Sequence, residues 1–398
     1  MKNLTYTLYL EINNSNYIFF VCKGDKQYNF EIDYKLEVAL IGIDNNRISD
    51  FEKSFNAIKK NIYLIEQKFN HTFKEIVIIL DNLNPSFINI TGYKKLNSSQ
   101  ISKENITYIL NTLKSYVDEI ELKKTILHIF NSKFYLDKKK IENLPIGLFG
   151  DFYSHELSFT LINKNDFKNI KHIFDKCNLK IKKILIKDFV RGANISSNYD
   201  NVETFFQIKI NQKFTKIFYF ENNSLKNQQN FKFGSDIIIK DISKIISLKI
   251  ETIQTILNES EFKEEILEDE LIEEKFFKNE VYRKIKKKLI YDIAFARIKE
   301  ILDIIIIKNI NFKYYIKNSK NIFLELDSRS QYKCFKKIYL SILADKSGFN
   351  LNLIDNLPDH DILNSVNKIV HFGWKKEAIP FSQVKKSIIA RFFDTFFK

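Results

Sequence analysis

Glycine is nearly absent from this chain. Its 398 residues hold nine, at Gly24, Gly42, Gly92, Gly147, Gly150, Gly192, Gly234, Gly348 and Gly373, against a usual share of about 7%. The closest pair, Gly147 and Gly150, stands alone, so neither G-x-G-x-x-G nor G-x-x-x-x-G-K-[ST] can be written. A backbone that cradles phosphate needs glycine for positive φ and for close approach. A standard Rossmann or P-loop nucleotide site is therefore excluded.

The rest of the composition narrows the class. Apolar residues make up 44%, with 37 Phe and 19 Tyr, enough for large cores in two or three domains. Lys and Arg number 63 against 49 acids, a net +14, which favours anionic partners. The bases mix with acids along the chain instead of forming one stripe with interleaved aromatics, so nucleic acid is not an expected partner. Cys22, Cys177 and Cys334 are scattered, and the six His form no H-x-H or H-x-x-x-H pair. Neither a disulfide framework nor a metal site is expected. No apolar run reaches the ~18 residues of a membrane span. The opening MKNLTYTLYLEI does not read as a signal peptide, and the expected compartment is the cytosol.

Periodicity gives an α/β order. Leu4 to Ile12 alternates as a strand, and Tyr17–Cys22 follows a turn at 13–16 as its hairpin partner. Leu36–Ile43 continues the sheet, Ser49–Asn70 has helical spacing, and Glu75–Leu80 is a short buried strand. Ser86–Leu96, a helix capped by Ser102, Lys124–Phe134 and Ser154–Ile162 then form a strand-helix-strand-strand unit. A helix at 166–177, a strand at 181–186 and two strands within 203–220 follow. After them come helices at 236–246, 248–257 and 289–307, a strand at 321–326 and a helix at 331–343. The run 259–274 carries nine acids and 275–288 seven bases; two solvated faces and a charged docking surface both fit.

The last segment, SQVKKSIIARFFDTFFK, begins at Ser382, a plausible cap. At about 100° per residue, Val384, Ile388, Ile389, Phe392, Phe393, Phe396 and Phe397 share one face. Arg391, Asp394 and Lys398 lie opposite. Lys385 and Lys386 fall in the first turn, where long stems snorkel to headgroups. Such a helix suits an anionic membrane interface, each base adding about 1 kcal/mol. Packing on the body is the other reading; Lys375-Lys376 and Pro380 upstream favour a break from the body.

The order of these pieces resembles bacterial FtsA, the actin-like cell-division family. Thr125–Gly150 is similar to its most specific stretch through His128, Tyr135, Asp137, Pro145, Gly147 and Gly150. Leu10–Ser15 resembles the first phosphate segment. Gly234–Ile242 and Leu289–Leu302 resemble two further family segments, the latter with Arg297 and Glu300 in place. The resemblance implies an actin-like (ribonuclease-H-like) two-lobed fold with an inserted SHS2-type subdomain and a C-terminal amphipathic helix. Lobe 1 would comprise 1–82 and 163–200, the insertion 83–162, and lobe 2 with a return segment 201–374. Within lobe 2, 234–309 would bind the FtsZ C-terminal tail; 375–381 would be a linker and 382–398 the membrane-targeting helix.

The same resemblance implies a divisome membrane adaptor and not an enzyme, with Arg297 and Glu300 at the tail-binding surface; an ordinary ion pair on one helix face is the alternative. It also implies self-association into filaments, downstream divisome partners, anionic inner-membrane lipids, and a place on the cytoplasmic face of the inner membrane at the division site. ATP is the candidate cofactor, with Glu11, Asn13, Ser15, Asn211 and Lys213 as site residues. The second phosphate segment, however, reads Lys209-Ile210-Asn211-Gln212-Lys213-Phe214, without the family's acid or glycines. A degenerate site and no ATPase activity are expected. Two rivals stand beside this reading: an ATP-binding actin-like ATPase with an unusual site, and a PilM-like scaffold for pilus or secretion assembly.

Overall fold

The computed structural model describes residues 5–24, 30–44, 47–81, 84–260, 269–277, 280–326, 332–344, 348–355 and 357–378. Strand β1 (Thr5–Ile12) turns through residues 13–15 into β2 (Asn16–Gly24), which pairs antiparallel with it. β3 (Phe30–Ala39) extends the meander and alternates between half-buried and exposed positions, as a strand with one wet face does. The apolar run 36–43 is therefore not one strand. It breaks at Gly42, whose φ is +78° and where a Cβ would meet the Asp50 carbonyl at 2.5 Å. The short hairpin β4 (Ile43–Asp44) and β5 (Arg47–Ile48) follows. Helix α1 (Phe51–Phe69) is capped by Asp50, whose carboxylate accepts from the Lys53 amide at 3.0 Å. It buries Ile58, Ile62 and Ile65, each contributing on the order of 2 kcal/mol. β6 (Glu75–Leu80) then pairs parallel with β1.

The insertion comprises β7 (Ser86–Lys95), α2 (Lys103–Ile120), β8 (Lys124–Leu136), β9 (Lys139–Ile141) and β10 (Phe152–Asn163), in a sheet ordered β7-β10-β8-β9. The sequence's Ser102 cap is present as a capping box with Asn105. The chain returns through α3 (Lys164–Lys176) to β11 (Lys180–Ile186), which pairs parallel with β6, and enters α4 (Lys187–Asn198). The first lobe's sheet is thus β11-β6-β1-β2-β3.

The second lobe repeats the plan. β12 (Phe205–Ile210), β13 (Thr215–Glu221) and β14 (Ser224–Phe231) form the meander. Next come α5 (Asp236–Ile246), α6 (Ile250–Glu259), a 3-10 turn at Glu274–Phe276 and α7 (Lys287–Leu302), which runs into a π-helical stretch at Asp303–Ile307. After α8 (Ile310–Tyr315), β15 (Asn321–Leu326) pairs parallel with β12. Then α9 (Lys333–Ala344) leads to β16 (Asn350–Ile354), parallel to β15. The order β14-β13-β12-β15-β16 matches the first lobe strand for strand. Two such sheets, each with one central strand joining an antiparallel meander to parallel neighbours, make this a two-lobed actin-like fold.

The lobes share a core. Tyr9, Phe20 and Phe189 of the first lobe pack with Phe205, Phe218, Phe220 and Phe323 of the second. Helix α4 lies in this seam. A Cβ at its Gly192 would stand 2.0 Å from the Phe220 ring, so only glycine admits the ring this close. The final helix, α10 (Asp359–Phe372), packs on α4, and its Asn367 Oδ1 accepts from the Tyr9 hydroxyl at 3.1 Å. The insertion bridges both lobes: Ser224 Oγ donates to the Asn131 carbonyl at 3.0 Å, and Lys133 pairs with Glu221 at 2.9 Å.

Residues 376–378 are not a free linker. The Asn131 amide donates to the Lys376 carbonyl at 2.6 Å and the Ala378 amide to the Ile129 carbonyl at 2.8 Å, so this piece lies antiparallel along β8. Glu377 is buried between His128 Nδ1 at 3.2 Å and Lys183 Nζ at 2.5 Å. Burial alone would raise its carboxyl; the hydrogen bond and charge of His128, with Lys183, instead hold it down at about 2 against an ordinary 4.5. A depressed carboxylate stabilises the fold above pH ~4.5 and loses that contribution as pH falls toward 2. Glu377→Gln is expected to cost on the order of 3 kcal/mol at pH 7, and the gap between variant and parent in urea unfolding should close as the pH is lowered through that window.

Candidate functional site

Two equivalent hairpins face each other between the lobes. In the first, the Asn13 side chain accepts from the Ser15 and Asn16 amides at 2.9 and 2.7 Å, an Asx turn that commits this carbonyl to its own loop. In the second, the Asn211 amide donates to the Phe214 carbonyl at 3.0 Å. The Asn211 and Gln212 carbonyls accept from the Ser235 and Asp236 amides, both at 2.9 Å. Gly234 permits that contact, because a Cβ there would stand 2.0 Å from the Asn211 carbonyl oxygen. The hairpins border a cleft of about 1040 Å³ that also exposes Asp81, Lys209, Lys213 and Lys216.

The strand order makes Glu11, one residue before the end of β1, the counterpart of Lys209 at the same place in β12. Where one lobe offers an acid the other offers a base. Asp81 and Lys216 of the cleft lining pair, beneath it, with Lys187 and Asp188 of helix α4, and Arg191 of the same helix joins Lys209 of the lining through Glu325. Lys187 Nζ lies 2.5 Å from Glu11 and 3.7 Å from Asp81. Arg191 lies 3.2 Å from Glu325 and 3.9 Å from Asp188; Lys209 lies 3.8 Å from Glu325, and Lys216 3.5 Å from Asp188. These eight residues comprise four cations and four carboxylates. Two pairs, Arg191–Glu325 and Lys216–Asp188, join the lobes.

Burial sets the electrostatics. It lifts the Glu11 carboxyl above its usual range, with Lys187 pulling the other way. Burial also works to raise Asp81, but Lys209, Lys187, Arg191 and Lys216 together hold it well below the carboxylate range. For Arg191, desolvation is outweighed by Glu325, Asp81, Asp188 and Glu11, and its affinity for the proton rises.

Acids and bases beneath the cleft are paired with one another. Oxygen ligands for Mg²⁺ are present, yet Glu11 is held by Lys187 and Glu325 by Arg191 and Lys209. A phosphate would need backbone amides or uncommitted cations. At the second hairpin the Asn211 and Gln212 carbonyls bind the start of α5, the buried cations face carboxylates, and Lys213 and Lys232 also line the cleft.

The sequence-designated residues therefore separate. Glu11 belongs to the ion network. Asn13 builds its turn, Asn211 anchors α5, and Ser15 and Lys213 are exposed at the cleft rim. Arg297 and Glu300 do come together at 2.6 Å, and Arg297 Nε also binds Asp241 of α5. The guanidinium thus clamps α7 to α5. Val384, Lys385, Lys386, Ile388, Ile389, Arg391, Phe392, Phe393, Phe396 and Phe397 lie outside the described residues. In the 125–150 stretch, Asp137 Oδ1 accepts from the Asp151 and Phe152 amides at 2.9 and 2.8 Å. Gly150 sits where a Cβ would meet Leu136 at 2.3 Å. With His128 holding Glu377, this most specific motif shapes the insertion and the chain's return.

Asp81, Lys187, Asp188 and Arg191 escaped the sequence reading. The repeat of Val77-Ile78-Ile79-Leu80-Asp81 in Phe323-Leu324-Glu325-Leu326-Asp327 was a signal for the first. Helix α4 gave none, because its charged residues face inward.

No protein-family model and no curated protein matches the sequence. Among solved structures the chain is similar to the PilM-PilN type IV pilus biogenesis complex at 11% identity, covering 92% of this chain and 96% of that one, TM-score 0.49. It is similar to the ethanolamine utilization protein EutJ of Carboxydothermus hydrogenoformans at 9% identity, 93% and 90% coverage and TM-score 0.42. MreB5 of Spiroplasma citri bound to ADP matches at 9% identity, 91% and 96% coverage and TM-score 0.41. The fold assignment stands on the strand order, and the site on the distances above.

Removing Arg191 leaves Glu325 and Asp188 buried with less compensation. Arg191→Ala is expected to cost about 3–5 kcal/mol in urea unfolding. Adding Glu325→Gln should recover part of that loss, as a coupling energy in a double-mutant cycle.

Proposed function

We propose that this protein is a membrane adaptor of actin-like fold that works without a nucleotide cycle. The observation that carries the reading is the charge network beneath the cleft: four cations and four carboxylates pair with one another there, and two of the pairs cross from lobe to lobe. Among the described residues, the acids of this network are paired with bases and no glycine-rich loop stands at either hairpin. ATP hydrolysis is not part of this role.

The tether is the C-terminal segment, whose sequence places four Phe and three aliphatic residues on one face beside Lys385, Lys386 and Arg391. The chain's resemblance to FtsA makes the partner the C-terminal tail of FtsZ, received at the α5–α7 surface beside Arg297. The same resemblance supports a site of action on the cytoplasmic face of the inner membrane at the division site, with self-association into filaments. The Asp241–Arg297–Glu300 clamp supports that surface by fixing α7 against α5.

Flotation on anionic liposomes with FtsZ from the same cell tests the role. The full chain should carry FtsZ to the top of the gradient, and a chain ending at Pro380 should leave both at the bottom. If the full chain floats and FtsZ stays behind, the partner is wrong; if neither floats, the tether is wrong.

A further inference from the structure

A groove of about 700 Å³ opens between the start of β8, helix α3 and strand β11. Its apolar wall is made by Ile126, Leu127, Phe167, Leu179, Ile181 and Ile184, and Lys171 and Lys183 stand on it. Residues 376–378 already fill the neighbouring stretch of the same channel. They lie along β8 at 129–131, and Glu377 reaches across to Lys183 on β11. Because they run antiparallel to β8, each further residue moves toward β8's beginning. The groove opens at the end of β8 toward which residues 376–378 run.

We propose that this groove receives the apolar face of residues 382–398 when no membrane is present, so that groove and bilayer compete for the same phenylalanines. This rests on the membrane-tether reading above and adds its regulation. The covalent connection makes docking intramolecular, with an effective concentration in the millimolar range typical of short tethers. Burying several Phe side chains gains on either surface. The lining carries Lys171, Lys180 and Asp175, with Lys183 already paired to Glu377; in the docked state Lys171 would face Asp394. An anionic leaflet instead rewards Lys385, Lys386 and Arg391. Membrane charge therefore tips the exchange.

Cross-linking measures the exchange in the full chain. Cysteines are placed at the rim by Lys171→Cys and on the tail's polar face by Ser387→Cys, with Cys177→Ser to remove the nearby native thiol. A control pairs Ser387→Cys with Lys60→Cys on the exposed face of α1. A short bismaleimide should join the 171–387 pair several-fold more efficiently than the 60–387 pair. Vesicles of phosphatidylglycerol and phosphatidylcholine should lower the 171–387 yield several-fold, whereas phosphatidylcholine alone should not. Equal yields for the two pairs would overturn groove docking, and flotation of that same protein would show the tether reading intact. A high 171–387 yield indifferent to anionic vesicles would overturn the competition, and failure to float would show that the tether reading fell with it. Displacement by a soluble peptide from a membrane partner, with vesicles without effect, would also overturn it and assign the groove to that partner.

Discussion

The ion network on helix α4 is the constraint from which the rest of the molecule follows. A buried charge is tolerated only beside its opposite. Arg191 and Asp188, on one turn of one helix, find theirs in Glu325 and Lys216 on the other lobe. The position of each lobe is thereby part of the other's stability. Gly192, one residue on, lets Phe220 close over the same helix. The polar and apolar halves of the seam are thus set within two turns.

The duplicated fold gives the network its meaning. Each lobe presents a hairpin after its central strand, and in an actin-like fold this pair of turns is the natural place for a charged ligand. Here the space beneath them is occupied by the protein's own charges. Lys209 stands where symmetry with Glu11 would put an acid, and it finds Glu325 on the adjacent strand. A cleft so arranged holds the lobes by itself. The insertion adds a second tie through Lys133 and Glu221, and the return segment a third through Trp374, whose indole donates to the Asn223 carbonyl at 2.8 Å.

What the sequence disclosed and what it concealed divide along one physical line. α1 and α2 were legible because each has a one-sided apolar stripe and a polar cap. The insertion's strand-helix-strand-strand order followed from them and from the alternation of β7 and β10. The role of helix α4 was not legible, since its polar face, with Asp188, Arg191 and Asn194, is buried as well as its apolar one, and in sequence such charges look like a solvated face. β14 was missed for its polar run of Asn and Gln, and β16 with α10 for their short, mixed pattern. At the site, the loss of glycine and acid at 209–214 was visible, but the replacement was not. Pairings between residues more than a hundred positions apart, such as Arg191 with Glu325, exist only once the lobes are folded together.

Magnesium-ATP titration of the intact protein, followed by calorimetry and by thermal unfolding, reaches the central claim most directly. If the cleft is neutralised by its own residues, no saturable heat appears and the unfolding temperature stays fixed up to millimolar nucleotide. Saturable binding that raises the unfolding temperature, with phosphate release, would contradict it, because a ligand that binds only the folded state must stabilise it.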